Sequence, residues 1–173
     1  MSNLVLVKEL EQTSSASTWS ITDMFTTDYS VYRIDISGVK IASGTADLDM
    51  RLVTTGGSVI SSSDYHYGIW DLLPNSGPNQ YRQAGNTHFD NFLPVVGVDE
   101  FVATAELYVF NPFESSYTYC LVKGNGTQSG TVMRHRRGGG VLKTNDSIGG
   151  IQILTSNSNS INGGYVKSYG LKV

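Results

Sequence analysis

Along most of this chain apolar and polar residues alternate one by one, and a period of two is what an extended strand with one buried face requires. The cleanest stretch is Ala46–Thr54, where Leu48, Met50 and Leu52 fall on one face and Asp47, Asp49 and Arg51 on the other. Residues 29–37 repeat the pattern, with Tyr32, Ile34 and Ile36 opposite Arg33 and Asp35. In residues 101–110 both faces carry apolar groups, Ala103, Ala105, Leu107 and Val109 on one and Val102, Tyr108 and Phe110 on the other. That composition predicts a central strand buried on both sides. Residues 4–10, 18–22, 116–122, 131–137, 151–155 and 165–173 complete the expected strands, and helical periodicity is nearly absent.

Between these runs lies turn chemistry. Ser37-Gly38, Gly56-Gly57, Asn75-Ser-Gly77-Pro78, Asn125-Gly126, Gly138-Gly139-Gly140, Asn145-Asp146 and Asn162-Gly163-Gly164 all supply residues that tolerate positive φ. About eight to ten short strands separated in this way predict an all-β fold, a two-sheet antiparallel sandwich of the jelly-roll kind. Residues 73–86, polar and holding Pro74 and Pro78, are expected as a long surface loop. No repeat, linker or composition break divides the 173 residues, so a single β-sandwich domain over 1–173 is expected.

Composition narrows the function classes. Charged residues make up 16% of the chain, against about 25% in ordinary soluble domains, while Ser, Thr, Asn and Gly make up 66 of the 173 residues. Short neutral polar side chains lose less entropy than Lys or Glu when an interface immobilises them, so an assembly subunit is expected. A net charge of −3 argues against general nucleic-acid binding. The longest apolar neighbourhood, residues 92–105, is interrupted by Asp99 and Glu100, so no membrane span is expected. The opening residues show no charged-then-apolar leader, and no secretory signal is expected. Cys120 is the single cysteine, which excludes an intramolecular disulfide framework and a cysteine-rich metal centre.

Candidate chemistry is sparse. His66, His88 and His135 lack metal-ligand spacing, so neither a metal nor a cofactor is expected. Asp35, Asp47 and Asp49 with Arg33 and Arg51 read as cross-strand charge pairs on a solvated face. Arg134, Arg136 and Arg137 form the only basic run and are expected as a solvated strand end or as a contact patch toward a neighbouring subunit. The glycines after them lack the following Lys-Ser/Thr of a phosphate-binding loop. No Gly-x-Ser-x-Gly elbow occurs, and Cys120, between Tyr119 and Leu121 in an expected strand, reads as a buried inert thiol. The best binding candidate is the aromatic run Tyr65, His66, Tyr67 and Trp70, with Tyr81 nearby, since such rings stack on sugars and anchor protein interfaces. Alternation places Tyr65 and Tyr67 on one face, toward a core, and His66 and Trp70 on the other, toward a contact surface.

The C-terminal stretch carries the most specific pattern. Ile148-Gly-Gly-Ile151-Gln-Ile153 is followed by Ile161-Asn-Gly163-Gly164 and then by a strand ending Ser168-Tyr169-Gly170-Leu171. Its turn is expected at Gly163-Gly164. Together with Leu4-Val-Leu-Val-Lys8 near the start and Glu106-Leu-Tyr-Val-Phe-Asn111-Pro112 in the centre, it resembles small virion structural and tail-fibre-like proteins of marine tailed phages, notably cyanophages. In that family an aliphatic residue often stands where this chain has Ser168. The resemblance implies a β-sandwich that assembles on a virus particle as a tail-fibre, appendage or capsid-decorating subunit. The partners expected are copies of itself, first as a trimer, and other virion proteins. No catalytic residues carry over. The alternative is a carbohydrate-binding module directed at host surface glycans.

Overall fold

The computed structural model describes residues 3–98, 102–128 and 132–172. Among them every regular element is a β-strand: β1 (Leu4–Gln12), β2 (Thr18–Ile21), β3 (Val31–Ile41), β4 (Ala46–Thr54), β5 (Tyr65–Leu72), β6 (Asn79–Asn86), β7 (Phe89–Val96), β8 (Ala103–Phe110), β9 (Thr118–Gln128), β10 (Val132–Leu142), β11 (Ile148–Thr155) and β12 (Ile161–Leu171). No helix among the described residues is long and apolar enough to cross a membrane. Phe101, Thr131 and Val173, at the ends of expected strands, lie outside the described residues.

All pairings are antiparallel, in an eight-stranded sheet ordered β1-β12-β3-β8-β9-β10-β5-β6 and a four-stranded sheet ordered β2-β11-β4-β7. With β5, β6, β9 and β10 set aside, the other eight strands run first-eighth-third-sixth in one sheet and second-seventh-fourth-fifth in the other. That is the pair of interlocked Greek keys of a jelly roll. The four extra strands extend the larger sheet past β8 into a wing of β9, β10, β5 and β6.

The alternation read from the sequence sets the core. Tyr32, Ile34 and Ile36 of β3, Leu48, Met50 and Leu52 of β4, and Ile151 and Ile153 of β11 are all buried in one continuous cluster between the sheets. Burying each such side chain stabilises the fold by about 1.5–3 kcal/mol relative to exposure. Ser168, the departure from the phage pattern, is fully buried on the inner face of β12 and donates its hydroxyl to Met24 O at 2.8 Å.

The wing lies over β7, the edge strand of the smaller sheet. On its inner face a Cβ at Gly124 would sit 2.6 Å from Pro94 Cγ, and one at Gly140 would sit 2.5 Å from Phe89 Cε1. Glycine is therefore what lets the two layers close here. Covering β7 also removes an exposed strand edge.

Four expectations are corrected. Gly138-Gly139-Gly140 and Asn125-Gly126 continue β10 and β9 instead of turning the chain, because their glycines face β7, the outer cleft or neighbouring strand backbone. Gly163-Gly164 lies inside β12 at a bulge, where a Cβ at Gly164 would crowd Trp19 and Val39, and the turn falls earlier, after Thr155. Residues 79–86 of the expected loop form β6, which pairs with β5 along the sheet edge. Finally β8 is central but buried on one face only, since Thr104 is exposed and Glu106, Tyr108 and Phe110 are half-buried.

Candidate functional site

The period of two divides the aromatic run of β5. Tyr65, Tyr67, Ile69 and Asp71 turn inward, while His66, Gly68, Trp70 and Leu72 turn outward. Tyr65 is fully buried, its hydroxyl donating to Ile60 O and accepting from Leu52 N–H, both at 2.9 Å, and its ring edge-on to Phe89. Tyr67 is also a core residue, with burial pushing its phenol up to about 12. These two do not reach the surface. Tyr81, half-buried on β6 opposite Ile69, likewise faces inward.

Outside, register aligns residues from neighbouring strands into three rows. Phe110, Tyr119, Val141 and His66 pair across β8, β9, β10 and β5; Tyr108, Leu121, Gly139 and Gly68 form the next row; Glu106, Lys123, Arg137 and Trp70 form the third. Trp70 is 44% exposed, Tyr119 50% and Leu121 51%. The paired glycines leave a low floor between Leu121 on one side and Trp70 and His66 on the other, with open space where a Cβ at Gly68 would stand. Two clefts adjoin there: one of about 540 Å³ walled by Trp70, Tyr108, Leu121 and Arg137, and one of about 610 Å³ walled by His66, Phe110, Tyr119 and Val141. Along one border runs a polar network in which Arg33 meets Glu106 at 3.0 Å and Lys123 meets Glu106 at 2.8 Å. Aromatic walls, a flat glycine floor and two exposed cations, Arg137 and Lys123, suit adhesion to another surface.

Beneath the wing the basic run has a different role from the one expected. Arg137 is exposed on the outer face, but Arg134 is 6% exposed and Arg136 fully buried, so these two are not a contact patch. The reason is again periodicity: once β10 runs on through its glycines, Arg134 and Arg136 share the inward face with Gly138 and Gly140. Both guanidiniums meet the buried Asp71 Oδ2, and Arg136 also pairs with Asp47. Arg136 further donates to Leu93 O at 2.7 Å and Asn91 Oδ1 at 3.2 Å. Arg134 donates to the Tyr81 hydroxyl at 2.9 Å, and the Tyr81 ring lies 5.3 Å from the Arg136 guanidinium carbon. Buried charges persist only when matched in this way.

Asp49 therefore does not belong to a solvated face, and the half-buried Asp47 pairs with the buried Arg136, whereas Arg33 and Asp35 do pair near the surface at 2.8 Å. Asp49 is 3% exposed, because β7 bulges opposite β4 and folds Asp90 and Asn91 over it. Asn91 has φ 53 at the bulge, which aims its N–H at Asp49 Oδ1, 2.8 Å away. Bulges often re-aim groups in this manner. Burial pushes the Asp49 carboxyl up to about 7, the Asn91 N–H opposes this, and the neighbouring Asp90 adds to it. One carboxylate oxygen each from Asp49 and Asp90 and a ring nitrogen of His88 lie within 4.8 Å of one another, the only such group of possible metal ligands among the described residues. Pattern reading does not reach it, since the bulge that assembles it has no spacing signature.

No family model matches this chain, and no curated protein matches it either.

Proposed function

We propose that this protein is a structural subunit of a bacteriophage particle, a tail-fibre, appendage or capsid-decorating component, that works through assembly contacts and not through catalysis. The observation that carries the reading is the outer face of the wing and of the adjoining β8, where Trp70, Tyr108, Tyr119 and Leu121 fall in adjacent rows around a glycine floor. Exposed apolar patches of this kind mark interaction sites on soluble folds, and Trp and Tyr are the usual anchors. The jelly roll is itself a common architecture of capsid and lectin domains. The Ile148-Gly-Gly-Ile151 to Tyr169-Gly170-Leu171 pattern, similar to marine phage virion proteins, points the same way. On this reading the partners are further copies of the chain, with a trimer the first expectation, and other virion proteins, and the protein resides in the virion.

Quantitative mass spectrometry of purified particles tests this reading. Many copies per particle are expected, and absence from intact particles would reject it. A second reading, a glycan-binding tip, is favoured by one observation: the Trp70 side chain stands open beside the apolar cleft. Aromatic faces of that kind stack on sugar rings. Glycan-array binding that disappears in Trp70→Ala would select it.

A further inference from the structure

The bulged corner between β4 and β7 holds two carboxyl groups with no Lys or Arg partner among the described residues. Four aspartates meet in this region, Asp47, Asp49, Asp71 and Asp90, and the two buried arginines pair with Asp71 and Asp47. Among the described residues neither Asp49 nor Asp90 has a Lys or Arg nitrogen within 4.0 Å. The nearest cation on the same strand, Arg51, directs its Nε to Thr87 O at 3.3 Å. What faces Asp49 Oδ2 is His88 Nε2, 3.7 Å away and beyond hydrogen-bonding distance. The Asp49 side chain is only 4% exposed, and one of its oxygens lies within 4.8 Å of both the His88 ring nitrogen and an Asp90 carboxylate oxygen. A buried carboxyl group beside an imidazole nitrogen and a second carboxyl group is an arrangement that a bound cation would stabilise.

The surrounding bonds fit that role. His88 Nδ1 lies 3.1 Å from Thr87 Oγ1, so the ring can donate from Nδ1 and present the Nε2 lone pair, which is how metal-bound imidazoles are usually held. Asp49 Oδ1 is fixed by the Asn91 N–H, and Asp90 Oδ1 accepts from Asn91 Nδ2 at 2.7 Å, so one residue orients both carboxylates. Bonds of about 2.0–2.2 Å would place ligand atoms about 3–4 Å apart on one ion. The half-buried Asp90 and His88 need only a small rotation from their present spacing.

We infer that Asp49, His88 and Asp90 bind one divalent transition-metal ion, of the zinc or manganese class, which pins the β7 bulge to β4. One imidazole with two carboxylates selects this class over calcium or magnesium, whose sites are built from oxygen. Water completes the coordination.

Isothermal titration of Zn²⁺ and Mn²⁺ into the chelator-stripped full chain, with melting curves alongside, tests the site. One ion per chain and a higher melting temperature with metal are expected. His88→Gln and Asp90→Asn should each weaken binding by about tenfold or more while melting like the metal-free wild type. His135→Gln, on the opposite side of the wing, should bind as wild type does. Absence of saturable binding at one ion per chain would overturn the inference. So would binding that survives His88→Gln and Asp90→Asn together, because the ion would then sit elsewhere.

Discussion

Asp71 shows how much a single buried residue can hold. It is fully buried and shared by Arg134 and Arg136, which lie 63 and 65 positions away in sequence. Removing its charge would take from two buried guanidiniums the carboxylate they share, and breaking a buried pair in this way costs about 3–5 kcal/mol. Asp71→Asn should therefore lower the chemical-denaturation midpoint by a corresponding amount, and a shift close to zero would show that the arginines find solvent. Cys120 makes a second prediction. Burial raises its thiol to about 12, from an ordinary value of 9.0. The folded state favours the protonated form, so its contribution to stability is complete below pH 9 and is lost as pH rises from there toward 12. Native protein at pH 8 should resist thiol reagents and react fully once unfolded. At this scale the sequence was a partial guide. Alternation assigned Tyr65 and Tyr67 to one face of β5 and Trp70 to the other, as found. The partner of a buried charge has no such local signature, and Arg134 and Arg136 read as a surface patch for that reason.

Among the elements, β10 and β6 explain where reading by pattern stops. β6 (Asn79–Asn86) is polar on both faces because it is an exposed edge strand, so no periodicity marks it. Three consecutive glycines normally signal a turn, yet in β10 the side chains they lack are excluded by packing with β7, β5 and β9. By contrast β4 (Ala46–Thr54), which faces the centre of the core, was legible to its bounds, and β11 (Ile148–Thr155) over residues 151–155, its first three residues being missed because two of them are glycines. The glycines give a test. Gly140→Ala would drive a Cβ to 2.5 Å from Phe89 Cε1, against a well-packed core ring. Overpacking of this kind costs about 1–3 kcal/mol. Gly68→Ala, with open space around its Cβ, should leave the melting temperature unchanged or slightly raised, since alanine restricts the unfolded chain. Thermal melts of the pair separate the two roles, and equal effects would contradict the packing described.

Across the whole molecule, the wing does two jobs with its two faces. Its inner face covers the β7 edge and buries the charge cluster, and its outer face carries the apolar rows. A jelly roll alone would supply neither, so the inserted strands are where the proposed assembly function resides. The outer residues contribute little to the core, which permits a variant that alters contact without altering the fold. The most direct measurement is the copy number per purified particle of the wild-type chain beside a Trp70→Ala/Leu121→Asp double variant, with melting curves of both isolated proteins. The account predicts many wild-type copies, a large loss of the variant from particles, and closely similar melting temperatures. Wild-type protein missing from particles, or a variant incorporated as well as wild type, would contradict it.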